Sequence, residues 1–293
     1  MEFSLMEQKN SFTNEKNLRA QKILQPKNDV VFQALFSRGK ENITKAFLED
    51  ILKIKIHKIE LDKSKDLLND NIRDKNVRLD LHVVINDNIE CDIEIQLVKH
   101  EQAKERFVYY WAKMFTANLQ VGDDYSKLRK TIGIIIVDDE FPEFRDIPKS
   151  HTKWQIREEE YTQKILTPFF EVDIIELPKA LKEYKSNKSN NLLQWMMFLD
   201  NPETEEVSKI MENNEDIKNA KQELDRISQD DILRRMALKA ELERMDQKQL
   251  NYEARRDGKL EGKKEAAKKM LEKGIELSVI IEITGLSEEE ILN

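Results

Sequence analysis

Cysteine is nearly missing from this chain: Cys91 is the only one in 293 residues. An internal disulfide is therefore excluded. Cys91 sits among alternating apolar residues, where a buried, inert thiol is the expected state. Glycine and proline are scarce, at 7 and 6, and charged residues make up 36%, a composition of soluble, helix-rich chains with some coiled-coil character. No apolar run approaches the roughly 18 residues of a membrane-spanning helix, so no membrane partner is expected. The opening M-E-F-S-L-M-E-Q-K-N lacks the apolar core of a secretory signal. These absences together point to the cytoplasm. Strong positive charge is missing too. The net charge is −8, which argues against a constitutive nucleic-acid binder. Residues 1–130 hold 23 Lys and Arg against 21 Asp and Glu, leaving 26 against 36 for the remainder. The first half is thus slightly basic and the second strongly acidic.

What is present is centred on Val77 to Val98. Val77, Leu79, Leu81, Val83 and Ile85 alternate with Arg78, Asp80 and His82. After Asn86-Asp87-Asn88, a second arm sets Ile89, Cys91, Ile93, Ile95 and Leu97 between Glu90, Asp92, Glu94 and Gln96. Period-two alternation on either side of turn-forming residues predicts a β-hairpin. A turn centred on Asp87 makes opposed residue numbers sum to 174. Asp80 then faces Glu94, Arg78 faces Gln96 and His82 faces Asp92. A slip of one residue would set apolar side chains against polar ones. Two opposed carboxylates repel, and a divalent cation is the obvious remedy.

Elsewhere the reading is coarser. Residues 1–25 are polar and unpatterned, a loose arm. Pro26-Lys27-Asn28-Asp29 opens a helix with Asn28 or Asp29 as N-cap and Val31, Phe32, Leu35 and Phe36 inward. A second helix is expected from Asn42 to Leu52, a strand from Ile54 to Leu61, and a helix from Glu101 to Leu119. Thr131 to Val137 is unbroken apolar sequence, the pattern of a central strand with parallel neighbours. Phe169 to Leu177 is a further strand. Pro178 to Asn191 is polar and reads as a boundary, followed by an apolar helix from Leu192 to Leu199. Thr204 to Lys273 reads as a long solvated helix or a helical pair, interrupted by Gly258 and Gly262. The last segment predicts helices stopped by Gly274 and Gly285, then a third capped by Ser287 and Glu290.

Asp80, Glu94 and Gln96 share one face in the predicted register. The plain alternative is an exposed sheet face, where such residues are ordinary. The order of elements and the D…E-x-Q spacing resemble the PD-(D/E)xK nuclease superfamily. P-K-N-D-V-V-F-Q-A-L-F, R-L-D-L-H-V, I-E-I-Q-L, R-F-V-Y-Y-W-A-K and G-D-D-Y-S-K-L are similar, in order, to blocks of the recombination-promoting nuclease and transposase family within it. The tail E-G-K-K-E-A-A-K-K-M-L-E-K-G with T-G-L-S-E-E-E-I is similar to that family's C-terminus and to a helix-turn-helix.

The resemblance implies an α/β fold: a restriction-endonuclease-like core, with a mixed central sheet flanked by helices, followed by an all-helical C-terminal region. The divisions are a 1–25 arm, a 26–200 nuclease-like domain, a 201–265 charged helical region and a 266–293 tail module. It implies metal-dependent cleavage of DNA, linked to recombination or mobile elements. Asp80 and Glu94 would hold Mg²⁺ or another divalent cation with the Ile95 carbonyl, and Gln96 stands where the superfamily has lysine. Glutamine brings no positive charge, which implies either lower activity or a cation supplied from elsewhere, such as Arg78 or Lys99. Asp29 is either a further acid or a cap. Arg106 and Lys113 are candidate phosphate contacts. Tyr109, Tyr110 and Trp111 are candidates to stack on bases, though helical spacing favours core. His82 reads as a surface residue. Three consecutive glutamates, Glu288 to Glu290, sit where a recognition helix would meet phosphate, so oligomerisation or packing is the expected use of the tail. A homodimer through the C-terminal helices is expected, because one site per chain cuts one strand. The rival expectation is a catalytically inactive binding or assembly protein that keeps the nuclease fold.

Overall fold

The computed structural model describes residues 23–36, 39–61, 66–67, 77–78, 81–97, 102–117 and 119–292, and of 66–67 and 77–78 the backbone alone. Asp80, Lys99 and most of the expected N-terminal arm lie outside the described residues. Among the latter the chain forms two compact units, Met1–Ala240 and Glu241–Asn293.

The first unit opens with helices α1 (Asp29–Phe36) and α2 (Glu41–Leu52). Asn28 caps α1, its Oδ1 accepting from Val30 N at 3.1 Å and Val31 N at 3.4 Å. Strand β1 (Ile59–Leu61) is shorter than the expected Ile54 to Leu61. The short strands β2 (Asp66–Leu67) and β3 (Val77–Arg78) pair with each other. Next come β4 (Leu81–Ile85), β5 (Ile89–Gln96), α3 (Ala103–Ala117), β6 (Lys130–Val137), β7 (His151–Trp154), β8 (Phe170–Glu176), α4 (Leu177–Tyr184) and α5 (Asn191–Asp200).

The main sheet runs β1-β4-β5-β6-β8-β7. β4 and β5 pair antiparallel with Leu81 opposite Ile93, His82 opposite Asp92 and Val83 opposite Cys91, the register the alternation predicts. At the turn Asn86 and Asp87 adopt φ of 50° and 65°, a left-handed conformation their short polar side chains tolerate. Asn86 Oδ1 also accepts from His57 N and Lys58 N, tying β1 to the hairpin. β6 lies parallel to both β5 and β8, as its unbroken apolar run predicts. α3 is the crossover from β5 to β6.

One sheet face carries Cys91, Ile93, Ile95, Ile132, Ile134, Ile136 and Ile175 into the main core with α1, α2 and α5. At its centre Trp195 is fully buried against Phe36, Phe47 and Phe198, and its Nε1 donates to Asp50 Oδ2 at 3.0 Å. The other face packs Ile135, Val137, Val172 and Ile174 against Ala103 and Phe107 of α3.

Four expectations are corrected. The polar stretch after Pro178 holds a helix: α4 buries Leu177, Ala180 and Tyr184, and the buried Lys179 ammonium is satisfied by Phe144 O, Ile147 O and Glu176. Ile23 and Leu24, expected in a loose arm, pack against the core, and Leu24 N donates to Ser228 Oγ. Helices α6 (Glu205–Met211) and α7 (Glu215–Ile227) are not solvated: Val207, Ile210, Ile217, Ala220, Leu224 and Ile227 join the main core. Finally, α8 (Asp231–Glu272) runs through Gly258 and Gly262 unbroken, because neither glycine has a positive φ and the residues around them are good helix formers.

The second unit contains most of α8, then α9 (Leu277–Thr284) and α10 (Glu288–Leu292). Ala267, Ile280, Leu286 and Ile291 form its small core. Gly274 and Gly285 have φ of 79° and 66° and stop their helices as expected. Ser287 and Glu290 exchange the reciprocal bonds of a capping box. No helix among the described residues is long and apolar enough to cross a membrane.

Candidate active site

Alternation along β5 sets Glu90, Asp92, Glu94 and Gln96 on the face opposite the main core. The three acids are nearly inaccessible, at 5–6% exposure. α3 causes this. Ala103 and Phe107 dock on Ile135, Val137, Val172 and Ile174, and Trp111 Nε1 donates to Thr131 O at 2.8 Å. The helix thereby lies over the polar edge of β5. A carboxylate removed from water carries a desolvation penalty of several kcal/mol unless a charged partner answers it.

Partners do so at two points of the strand. Glu90 Oε2 is 2.6 Å from His82 Nε2, and Glu90 Oε1 accepts from Arg129 Nη1 at 2.9 Å. Burial pushes the Glu90 carboxyl up, but His82 and Arg129 outweigh it and hold the group below the ordinary glutamate value. His82, with 9% of its side chain exposed, is a partner of Glu90 rather than a surface residue. Further along, Arg106 Nη2 donates to Glu94 Oε1 and, at 2.7 Å, to Gln96 Oε1. Here burial prevails: it pushes the Glu94 carboxyl above its usual value although Arg106 pulls it down. The Arg106 guanidinium carbon stands 5.3 Å from the Tyr110 ring centroid, one helical turn on.

The other sequence candidates take varied places. Ile95 faces the main core with 6% exposure. Gln96 O accepts from Asp138 N at the carboxyl end of the sheet. Asp138 Oδ2 lies 3.3 Å from Lys27 Nζ, so the P-K-N-D segment reaches this edge through its lysine. Asp29 is exposed at the start of α1 and Asn28 is the cap. Arg78 is described only in its backbone pairing with Asp66. Lys113 stands 5.6 Å from the Tyr109 ring. Phe107 and Met114 are buried and Trp111 packs on Phe115 and Phe170, whereas Tyr109 is exposed and Tyr110 half-buried, so only part of the aromatic helix is core. Cys91 is fully buried and burial raises its thiol well above the usual range, as an inert thiol requires.

Sequence reasoning placed Arg106 among phosphate contacts and did not pair it with Glu94. Its place beside Phe107, which faces the sheet, and one turn before Tyr110 was the available signal. Arg129 was missed altogether.

The donor set suits a hard cation. The Glu94 carboxylate offers a hard oxygen of the kind magnesium prefers, and it is a buried acid answered by a single guanidinium. Among the described residues no group of three or more His, Cys, Asp or Glu side chains is arranged to hold a metal ion, and Asp80, the second expected acid, is outside them.

Comparison with known families gives two matches. Residues 26–254 match the family described as PD-(D/E)XK nuclease family transposase. Residues 260–293 match the Rpn/YhgA-like nuclease family, C-terminal HTH domain. No curated protein and no solved structure matches the chain. With its E-x-Q strand in a mixed six-stranded sheet and a helix-turn-helix segment after it, the chain belongs to the PD-(D/E)XK nuclease family of transposases.

Proposed function

We propose that this chain is a metal-dependent DNA endonuclease that hydrolyses phosphodiester bonds in recombination or the movement of mobile elements. One observation carries the reading: Glu94 and Gln96 stand together on the buried polar face of β5, bridged by one cationic nitrogen, in a nuclease-family chain. Glu94 and Asp80 are the residues that would hold Mg²⁺ or a similar ion, with the Ile95 carbonyl as a further oxygen. Such an ion, when bound, acidifies water and neutralises charge on the phosphate. Glu94 is a buried oxygen donor on a rigid strand. Gln96 takes no proton and instead orients water or phosphate through its amide. α3 excludes bulk solvent from the strand face and so strengthens each interaction there.

The partner is DNA, in the cytoplasm. Met245 and Tyr252 of α8, seven residues apart and both more than half exposed, offer a face for a second copy, and light scattering of the full chain tests the homodimer. The test of the chemistry is purified protein on supercoiled plasmid with Mg²⁺. Asp80→Ala and Glu94→Ala are expected to abolish cleavage; unchanged cleavage in either variant means the site is wrongly assigned. Gln96 in place of lysine favours a second reading, a catalytically inactive binding module. Calorimetric titration with Mg²⁺ and Ca²⁺ separates the two: no heat that depends on Glu94 supports the inactive module.

A further inference from the structure

The E-x-Q pair lacks a cation of its own. Residues 94 and 96 project from the same face of β5, and a lysine at 96 would place its charge beside the acid. Gln96 brings none. The charge is nevertheless present. Arg106 Nη2 touches both Glu94 Oε1 and Gln96 Oε1, the latter at 2.7 Å. It arrives from α3 rather than from the strand, and it is held from two sides. Ala103 and Phe107 fix the backbone of its turn on the sheet, and Tyr110 stands 5.3 Å from its guanidinium carbon. About a third of the Arg106 side chain remains open to solvent, so this cation is at the rim of the site rather than sealed in the core.

The contact with Gln96 has a second consequence. A side-chain amide has one acceptor end and one donor end. Arg106 holds the acceptor end, which fixes the orientation of the amide.

We propose that Arg106 is the positioning residue of this site, supplying from helix α3 the positive charge that Gln96 lacks and fixing the Gln96 side-chain amide by its oxygen. The inference rests on the nuclease reading above. It differs from a structural ion pair in a checkable way. A structural pair would matter for folding and would be indifferent to where the positive charge is attached. A positioning cation matters for turnover and can be moved to the strand.

The experiment is a charge transplant in the full-length chain. Arg106→Ala is expected to lower kcat by about 100-fold, the cost of removing one preorganised group of this kind. Its affinity for uncleaved DNA in Ca²⁺ should stay within about 3-fold of the parent, and its circular dichroism should be unchanged. Arg106→Ala combined with Gln96→Lys is expected to recover at least about 10-fold of the lost kcat, because lysine restores the charge from the strand. Gln96→Lys alone should bring no gain, since two cations then crowd one acid. Independently of turnover, the Gln96 side-chain amide resonance in a 15N-glutamine-labelled sample should shift in Arg106→Ala without metal or DNA.

The proposal is overturned if Arg106→Ala cleaves like the parent, if DNA affinity falls by the same factor as kcat, if the transplant recovers nothing, or if the amide signal stays in place. Glu94→Ala keeps the two levels apart. An inert Glu94→Ala with a fully active Arg106→Ala sinks the Arg106 role alone. A fully active Glu94→Ala sinks the nuclease site itself.

Discussion

Gly258 and Gly262 provide a quantitative test of the long helix α8. Both lie in its interior and neither has a positive φ. A methyl group added to either meets no atom within 4 Å. Alanine therefore fits without strain, and the substitution acts only through the backbone freedom that glycine gives up on becoming helical. That cost is about 0.8–1.0 kcal/mol per glycine in an exposed helix interior. Gly258→Ala with Gly262→Ala should stabilise the helix locally by about 2 kcal/mol, the sum of the two intrinsic terms. A shift of that size lowers the population of the locally opened helix by about 30-fold. Amide hydrogen exchange resolves it directly: the protection of residues 255–265 should rise by that factor, with the strands of the sheet unchanged. Protection that stays level or falls would refute the reasoning. It would mean that the helix is broken at the glycines in solution, or that another chain packs against them where a methyl group does not fit.

Further outcomes follow from other parts of the fold. Trp195→Ala removes the largest fully buried side chain and leaves Asp50 without its indole partner; a loss of about 3–5 kcal/mol is expected, read from urea unfolding followed by far-ultraviolet circular dichroism, and a loss under 1 kcal/mol would contradict the packing described. Burial pushes the Glu171 carboxyl up, but Lys153 at 2.5 Å and Lys130 at 2.9 Å outweigh it and hold it below the ordinary 4.5. A depressed carboxyl contributes stability that is complete above its unfolded value and lost as the pH falls through the lower folded one, so Glu171→Gln should be less stable than the parent at pH 7 and should lose less on acidification below 4.5. Asp173, raised by burial despite His151, works in the opposite sense and is common to both proteins; urea midpoints that fall in parallel would refute the Glu171 contribution. Ser287→Ala removes the cap of α10 and should cost about 1 kcal/mol, seen as faster exchange at the amides of residues 290–292 while exchange in the sheet is unaffected.

The legible parts of the sequence were those written in local patterns. The β4–β5 register follows from alternation on both sides of Asn86-Asp87-Asn88, because a one-residue slip would turn every side chain over. The central place of β6 follows from an apolar run with no polar face to leave in water. The capping box at Ser287 and Glu290 is a four-residue signal and formed as read. The parts that were not legible depend on residues distant in the chain. Alternation put Glu90 and Glu94 on one face, yet their partners come from β4, from Arg129 and from α3. Nothing in β5 says which cation answers which acid. β7 is an edge strand of four residues, His151–Trp154, with too little apolar content to signal itself. α4 was hidden by its lysines because Lys179 lies inward, a placement that only the carbonyls of Phe144 and Ile147 make tolerable.

β5 is bonded to an antiparallel neighbour on one edge and a parallel one on the other, and the two edges close on different clocks. The hairpin with β4 folds back across a tight turn, an event of about 1–10 microseconds. The ladder to β6 must wait for the whole crossover, and the bed on which α3 rests also needs Val172 and Ile174 from β8. Long-range pairing of this kind is slow, and during synthesis it cannot begin until the later strands have been made. Glu94 and Gln96 therefore reach their strand before Arg106 has a surface to lie on. A growing chain holds an unfinished centre until the segment beyond Ile174 leaves the ribosome, so the order of synthesis itself delays assembly of the site until the sheet is complete.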